Sequence, residues 1–96
     1  MEIFDLTQVP ASLSKIAAFY GREPQSVVAI EELGELQKEL CKMLRGLGNL
    51  EHLAEEIADV EIMLCQIKEL YDIDPIAIKS YILVKTKRQL DRIENV

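Results

Sequence analysis

The chain has 96 residues and a formal net charge of −6, from 17 Asp and Glu against 11 Lys and Arg. A length of this order sets one domain, residues 1–96, which buries only about 60–65% of the surface its unfolded chain exposes, so oligomerisation is a natural remedy. The acidic balance argues against nucleic acid as a partner, because phosphate contacts need a surplus of Lys and Arg. No apolar run approaches the roughly 20 residues that span a bilayer.

The first residues, Met1-Glu2-Ile3-Phe4-Asp5, are acidic where a secretory signal needs positive charge, so a cytoplasmic location is expected. Residues 1–9 read as an irregular arm. A short helix is predicted from about Pro10 to Tyr20, with Pro10 suited to a first turn and Gly21 to a stop. A second helix starts near Pro24 and runs to about Arg45. Gly46 and Gly48 break the pattern, and Asn49 offers an N-cap for a third helix that reaches about Tyr71. Asp74-Pro75 supplies a cap and a first-turn proline for a fourth helix, which continues to about Ile93. No alternating strand pattern occurs. The expected fold is all-α: an antiparallel bundle of three long helices plus a short N-terminal helix, with the second and third helices as a hairpin. Cys41 and Cys65 fall on apolar positions and read as buried reduced thiols.

On a helical wheel, Ile30, Leu33, Leu36, Leu40, Cys41 and Leu44 form a broad apolar arc on the second helix. Glu32 and Glu39 lie at its edge, with Glu35 just beyond. The third helix has a core face of Leu53, Ile57, Val60, Met63, Leu64 and Ile67, and Glu56 falls inside that face. A carboxylate there is costly unless it is paired or bound to a metal. Asp59 points to nearly the same side. Ala54, Ala58, Ile62 and Cys65 extend the apolar coverage, which predicts a subunit interface and a homodimer or homotetramer.

Glu35 precedes the turn, and Glu56 follows it, by about 12–17 Å of helix, so the two motifs can face each other. Four convergent carboxylates, Glu32, Glu35, Glu56 and Asp59, are hard oxygen ligands of the kind that suits Mg²⁺, with Mn²⁺ as a substitute. The competing reading is plain. A Glu-x-x-Glu on a helix is usually a solvated face, and a buried ion pair to Lys or Arg would also explain Glu56.

Glu31-Glu32-Leu33-Gly34-Glu35, followed about twenty residues later by Glu55-Glu56-Ile57-Ala58-Asp59, resembles the paired E-E-x-x-E and E-E-x-x-D signature of the all-α NTP pyrophosphatase superfamily. That group includes MazG and the dimeric dUTPase- and dCTPase-like enzymes. The resemblance spans about Tyr20 to Glu94. It implies a dimerising helical bundle whose motifs hold Mg²⁺. It also implies hydrolysis of a nucleoside triphosphate between the α- and β-phosphates, giving monophosphate and pyrophosphate. Carried over by position, Glu32, Glu35, Glu56 and Asp59 are the metal ligands. Glu31, Glu39 and Glu55 are the candidate proton acceptors, with nothing to choose among them, and each reads equally well as a surface residue.

On the fourth helix, Tyr81, Lys85, Arg88 and Arg92 share one stripe. Lys85-x-x-Arg88 matches a pattern common in the family, so Lys85, Arg88 and Tyr81, together with Glu39, are the candidate substrate-binding residues. Pairing of these cations with Asp91, Glu94 or the acidic stripe is the alternative. The chain has no Trp, and Tyr20, Gln25 and Tyr81 are the remaining candidates for a base pocket. Gly46-x-Gly48 lacks the Lys-Ser/Thr of a phosphate-binding loop. His52 sits at an ordinary exposed helix position, and no Glu-x-x-His occurs, which disfavours a di-iron bundle. Two rival functions stay open: a non-catalytic metal–nucleotide-binding module and a structural helical interaction protein.

Overall fold

The computed structural model describes residues 3–96, and every regular element among them is helical. A single 3-10 turn, Leu6–Gln8, lies inside the stretch read as irregular. Asp5 accepts the Thr7 amide, and the Gln8 side chain accepts the Asp5 amide in return, which is a reciprocal capping box. Four helices follow: α1 (Val9–Tyr20), α2 (Arg22–Leu44), α3 (Leu50–Leu70) and α4 (Pro75–Glu94). α2 begins two residues before Pro24, because a proline in the first turn removes an amide that has no helical partner in any case. Asn49 and Asp74 both cap as the sequence indicates, accepting from the amides of His52 and Ile76 at 2.8 and 2.9 Å.

The connection from α2 to α3 turns on Gly46, whose φ of 73° is left-handed. Gly48 lies so close to Met43 that a Cβ there would meet the Met43 sulfur at 2.8 Å. The two helices run antiparallel. At the end far from the turn, Gln25 Nε2 donates to Gln66 Oε1 at 2.7 Å, and the hydroxyls of Ser26 and Tyr71 are 2.8 Å apart. Gln66 is 2% exposed, so this amide pair is a buried fastening between the helices.

The residues that α2 turns inward are Gln25, Ala29, Glu32, Leu36, Glu39 and Met43, all buried or half-buried. α3 meets them with Leu53, Glu56, Val60, Met63, Ile67 and Leu70. Both sets alternate steps of three and four, the spacing of a helix-pair seam. α1 lies chiefly against α3, where Ala17 is 1% exposed and Ser14 Oγ donates to Glu69 Oε2 at 2.8 Å.

This seam corrects two expectations. Most of the apolar arc predicted as the core of α2 faces outward within one chain: Ile30, Leu33, Leu40 and Leu44 are exposed, and only Leu36 turns into the seam. The acidic residues placed at its edge enter the helix pair instead. The cysteines are also exposed rather than buried, Cys41 on that same outward face and Cys65 on the outer side of α3. Both outcomes have one cause, since a two-helix seam covers a stripe narrower than the full apolar arc of either helix.

α4 stands apart. No residue on it is fully buried, and none of the other helices packs along it. The radius of gyration is 16.8 Å, against about 12.5 Å for a compact chain of this length. A bundle that includes α4 is therefore not formed within the single chain. The link out of α3 contains Asp72 with a left-handed φ of 52°, and α4 leaves the hairpin there. Among the described residues, no helix is long and apolar enough to cross a membrane.

The turn yields a direct test. Replacing Gly46 with Val forces a β-branched residue into a left-handed conformation, which costs about 1–2 kcal/mol. Urea unfolding should show a lower midpoint with an unchanged slope.

Candidate metal centre

The seam spacing brings carboxylates to the hairpin interior from both sides. Glu32 and Glu39 are seven residues apart on α2 and share its inward face, while Glu56 and Asp59 are three apart on α3. Glu32, Glu56 and Asp59 each offer an oxygen, and these oxygens lie within 4.8 Å of one another. All three side chains are half-buried.

The charges in this group are not neutralised by the protein. Among the described residues, no Lys or Arg forms an ion pair with Glu32, Glu56 or Asp59. Glu56 Oε2 is buried without a hydrogen-bond partner. A second such oxygen, Oε2 of Glu39, lies nearby on α2, and Glu39 is 8% exposed. Its other oxygen stands 3.6 Å from Lys42 Nζ, a partial compensation only. Glu35 is exposed and outside the close group.

The electrostatics follow from this crowding. Burial raises the Glu56 carboxyl above its ordinary value of 4.5, and the negative charges of Asp59, Glu35, Glu55 and Glu39 raise it further. Glu32 is raised in the same way, first by burial, then by the charges of Asp59 and Glu56 and a hydrogen bond with Asp59. Like charges at such range disfavour joint ionisation. A divalent cation reverses that balance, because oxygen-only carboxylate clusters are its preferred surroundings. The orphaned oxygens of Glu56 and Glu39 are what such a group would satisfy, so the residues present fit a hard cation of the Mg²⁺ or Mn²⁺ type.

The other sequence candidates fall as follows. Glu31 and Glu55 are exposed on the outer sides of α2 and α3, each one residue from a member of the close group. Tyr81, Lys85 and Arg88 are exposed on α4, away from the cluster. Tyr20 is exposed at the end of α1, where its ring meets Phe19 edge-on. Gln25 is buried in its bond to Gln66 and is not free to line a base pocket. The sequence reading missed Gln66 and the inward position of Glu39. The signal was a seven-residue spacing on each helix, Gln25–Glu32–Glu39 on α2 and Asp59–Gln66 on α3, which marks a polar line at a helix-pair seam.

Comparison with protein-family models, with curated proteins and with solved structures finds no match for this chain.

The raised carboxyls set a pH dependence. A carboxyl whose folded value is raised stabilises the fold below its unfolded value, and that stability is lost as pH rises through the folded value. Without divalent cation, the melting temperature should therefore fall as pH rises above the ordinary glutamate value of 4.5. Added Mg²⁺ should raise it at pH 8 and have little effect at pH 4.5, where protons compete for the same oxygens. Glu56→Gln should melt higher than the unmodified chain at pH 8 without Mg²⁺, and should lose most of the Mg²⁺ response. A Glu56→Gln variant stabilised by Mg²⁺ as strongly as the unmodified chain would remove Glu56 from the site.

Proposed function

We propose that this chain is a divalent-metal-dependent nucleoside triphosphate pyrophosphohydrolase of the all-α NTP pyrophosphatase kind. The observation that supports this reading most is the convergence of Glu32, Glu56 and Asp59 with a buried, partnerless Glu56 oxygen. The paired Glu31–Glu35 and Glu55–Asp59 motifs are its counterpart in the sequence. Glu32, Glu56 and Asp59 would hold Mg²⁺, and Glu35 completes the set by a rotamer change from its exposed position on the adjacent helix face. A divalent cation held by these residues would supply charge neutralisation and orientation of the scissile linkage.

The reaction is hydrolysis between the α- and β-phosphates of a ribo- or deoxyribonucleoside triphosphate. Water attacks the α-phosphorus, and the bond from that phosphorus to the bridging oxygen breaks. Pyrophosphate leaves with the electron pair. The water's proton passes to a carboxylate not engaged as a ligand, Glu31 or Glu55, both solvent-facing beside the cluster. Glu39 borders the site from the inner side of α2 and limits how far an anionic substrate can enter. Lys85 and Arg88, with Tyr81, are the groups suited to the triphosphate and its nucleoside. Association into a homodimer or homotetramer belongs to the same proposal, because the leucines and isoleucine of α2 are too exposed for a stable monomer.

The test is an assay. The purified chain with Mg²⁺ is offered a panel of canonical and modified ribo- and deoxyribonucleoside triphosphates. Release of pyrophosphate and monophosphate is expected, with kcat/KM at least about 100-fold lower in Glu56→Gln and Asp59→Asn. Lys85→Ala should raise KM more than it lowers kcat. Tight nucleotide binding with no turnover would replace the enzyme with a binding module. Neither binding nor turnover across the panel would overturn the proposal in favour of a structural role.

A further inference from the structure

Among the described residues, Glu39 is the only buried carboxylate, and it belongs to neither acidic motif. Its two oxygens differ. Oε1 stands 3.6 Å from Nζ of Lys42, one turn further along α2. Oε2 is buried and has no hydrogen-bond partner. A charged acceptor withdrawn from water in this way is costly until a donor reaches it.

The register of the hairpin sets where that oxygen points. Gln25 and Gln66 are bonded across the antiparallel pair. Seven residues towards the turn from that bond stand Glu32 and Asp59, and seven further stand Glu39 and His52. The backbone of Glu39 therefore lies four residues beyond that of Glu56, about 6 Å along the helix pair. Helical side chains lean towards the N-terminus of their own helix. On antiparallel helices the two leanings oppose each other, so Glu39 inclines away from the turn, Glu56 inclines towards it, and the two converge. The charge of Glu39 is accordingly among those felt by the Glu56 carboxyl, which also carries a buried oxygen without a partner. Glu39 nevertheless stays outside the close group of Glu32, Glu56 and Asp59. It stands one step behind the ligand set.

One step is the place of a water. A cation of the Mg²⁺ type takes octahedral coordination and sheds its waters reluctantly, so carboxylate sites leave several of them bound. Such waters are strong donors, and the groups that accept from them tune the site. We propose that Glu39 is an outer-shell carboxylate, whose Oε2 accepts a hydrogen bond from a water on the cation held by Glu32, Glu56 and Asp59, while Lys42 steadies the other oxygen. This rests on the cation site of the function proposed above. Glu39 is then a positioning residue that acts through the hydration of the cation.

Manganese binding is the readout, because Mn²⁺ reports its own coordination by electron paramagnetic resonance and no turnover is needed. The unmodified chain is compared with Glu39→Leu and Glu39→Gln. Leucine puts an apolar side chain of similar size on the inward line of Leu36 and Met43. Without cation, Glu39→Leu should melt at least as high as the unmodified chain. Its dissociation constant for Mn²⁺ should nonetheless rise about 10–100-fold. Glutamine keeps an acceptor oxygen without the charge, and its affinity should fall between the other two. A role in packing alone would move the melting temperature and leave the affinity in place, and that result would overturn the proposal while keeping the site of Glu32, Glu56 and Asp59. In isotopically labelled water, the number of waters on bound Mn²⁺ should be the same in Glu39→Leu as in the unmodified chain. One additional water in Glu39→Leu would make Glu39 a direct ligand and overturn the outer-shell role. Should Glu39→Leu fail to fold, Glu39→Gln decides: weaker Mn²⁺ binding is expected, and an unchanged dissociation constant would overturn the proposal. No Mn²⁺ binding by the unmodified chain would overturn the cation site itself, and the role of Glu39 with it.

Discussion

Three carboxylates between two helices dominate the energetics of this fold. Glu32, Glu56 and Asp59 sit where a helix pair ordinarily places Leu or Val, and Glu39 adds a fourth charge to the same seam. Each must surrender part of its hydration to be there, and the protein returns little in exchange beyond one distant lysine for Glu39. The stability of the hairpin is therefore conditional. It depends on the charge state of the seam, and so on pH.

The rest of the hairpin offsets that burden. Val60 and Met63 are the best-buried apolar residues of α3. They sit next to the acidic group in sequence and separate it from the Gln25–Gln66 pair. α1 covers a further strip of α3 through Ala17, whose small side chain allows close approach. The fully buried set is small, and it consists largely of Ala and polar residues. In a chain of this length such a core is thin. Apolar lines on α2 and α4 stay exposed in the single chain.

Much of this was legible in the residues. The helix limits followed from prolines, glycines and caps, because those are local effects that no distant contact overrides. Glu56 was legible as anomalous because α3 is apolar enough to make a charge conspicuous. The inner face of α2 was not, for a physical reason. Ile30, Leu33, Leu40 and Leu44 form the more hydrophobic stripe, and hydrophobicity alone assigns that stripe inward. The inward line is instead the one that carries Gln25, which pairs with Gln66 of α3, together with Ala29, Leu36 and Met43, a pairing that the hydrophobicity of α2 alone does not reveal. The detachment of α4 was equally hidden. Its apolar spacing marks an amphipathic helix but does not say whether the rest of the chain covers it.

The spacing within the seam has one more consequence. On α2 the inward residues nearly repeat after seven positions: Gln25, Glu32 and Glu39 on one line, Ala29, Leu36 and Met43 on the other. Sliding α2 by one repeat along α3 would exchange Glu32 for Glu39 at the cluster and put Leu36 where the small, buried Ala29 packs. Two further features oppose that slide. The buried Gln25–Gln66 bond has no equivalent one repeat along, and the tight turn, with Gly46 left-handed and Gly48 against Met43, leaves no slack to take up the offset. Far from the carboxylates, an amide pair and a glycine turn thus act as the index marks of a vernier, fixing the alignment from which the acidic group is built.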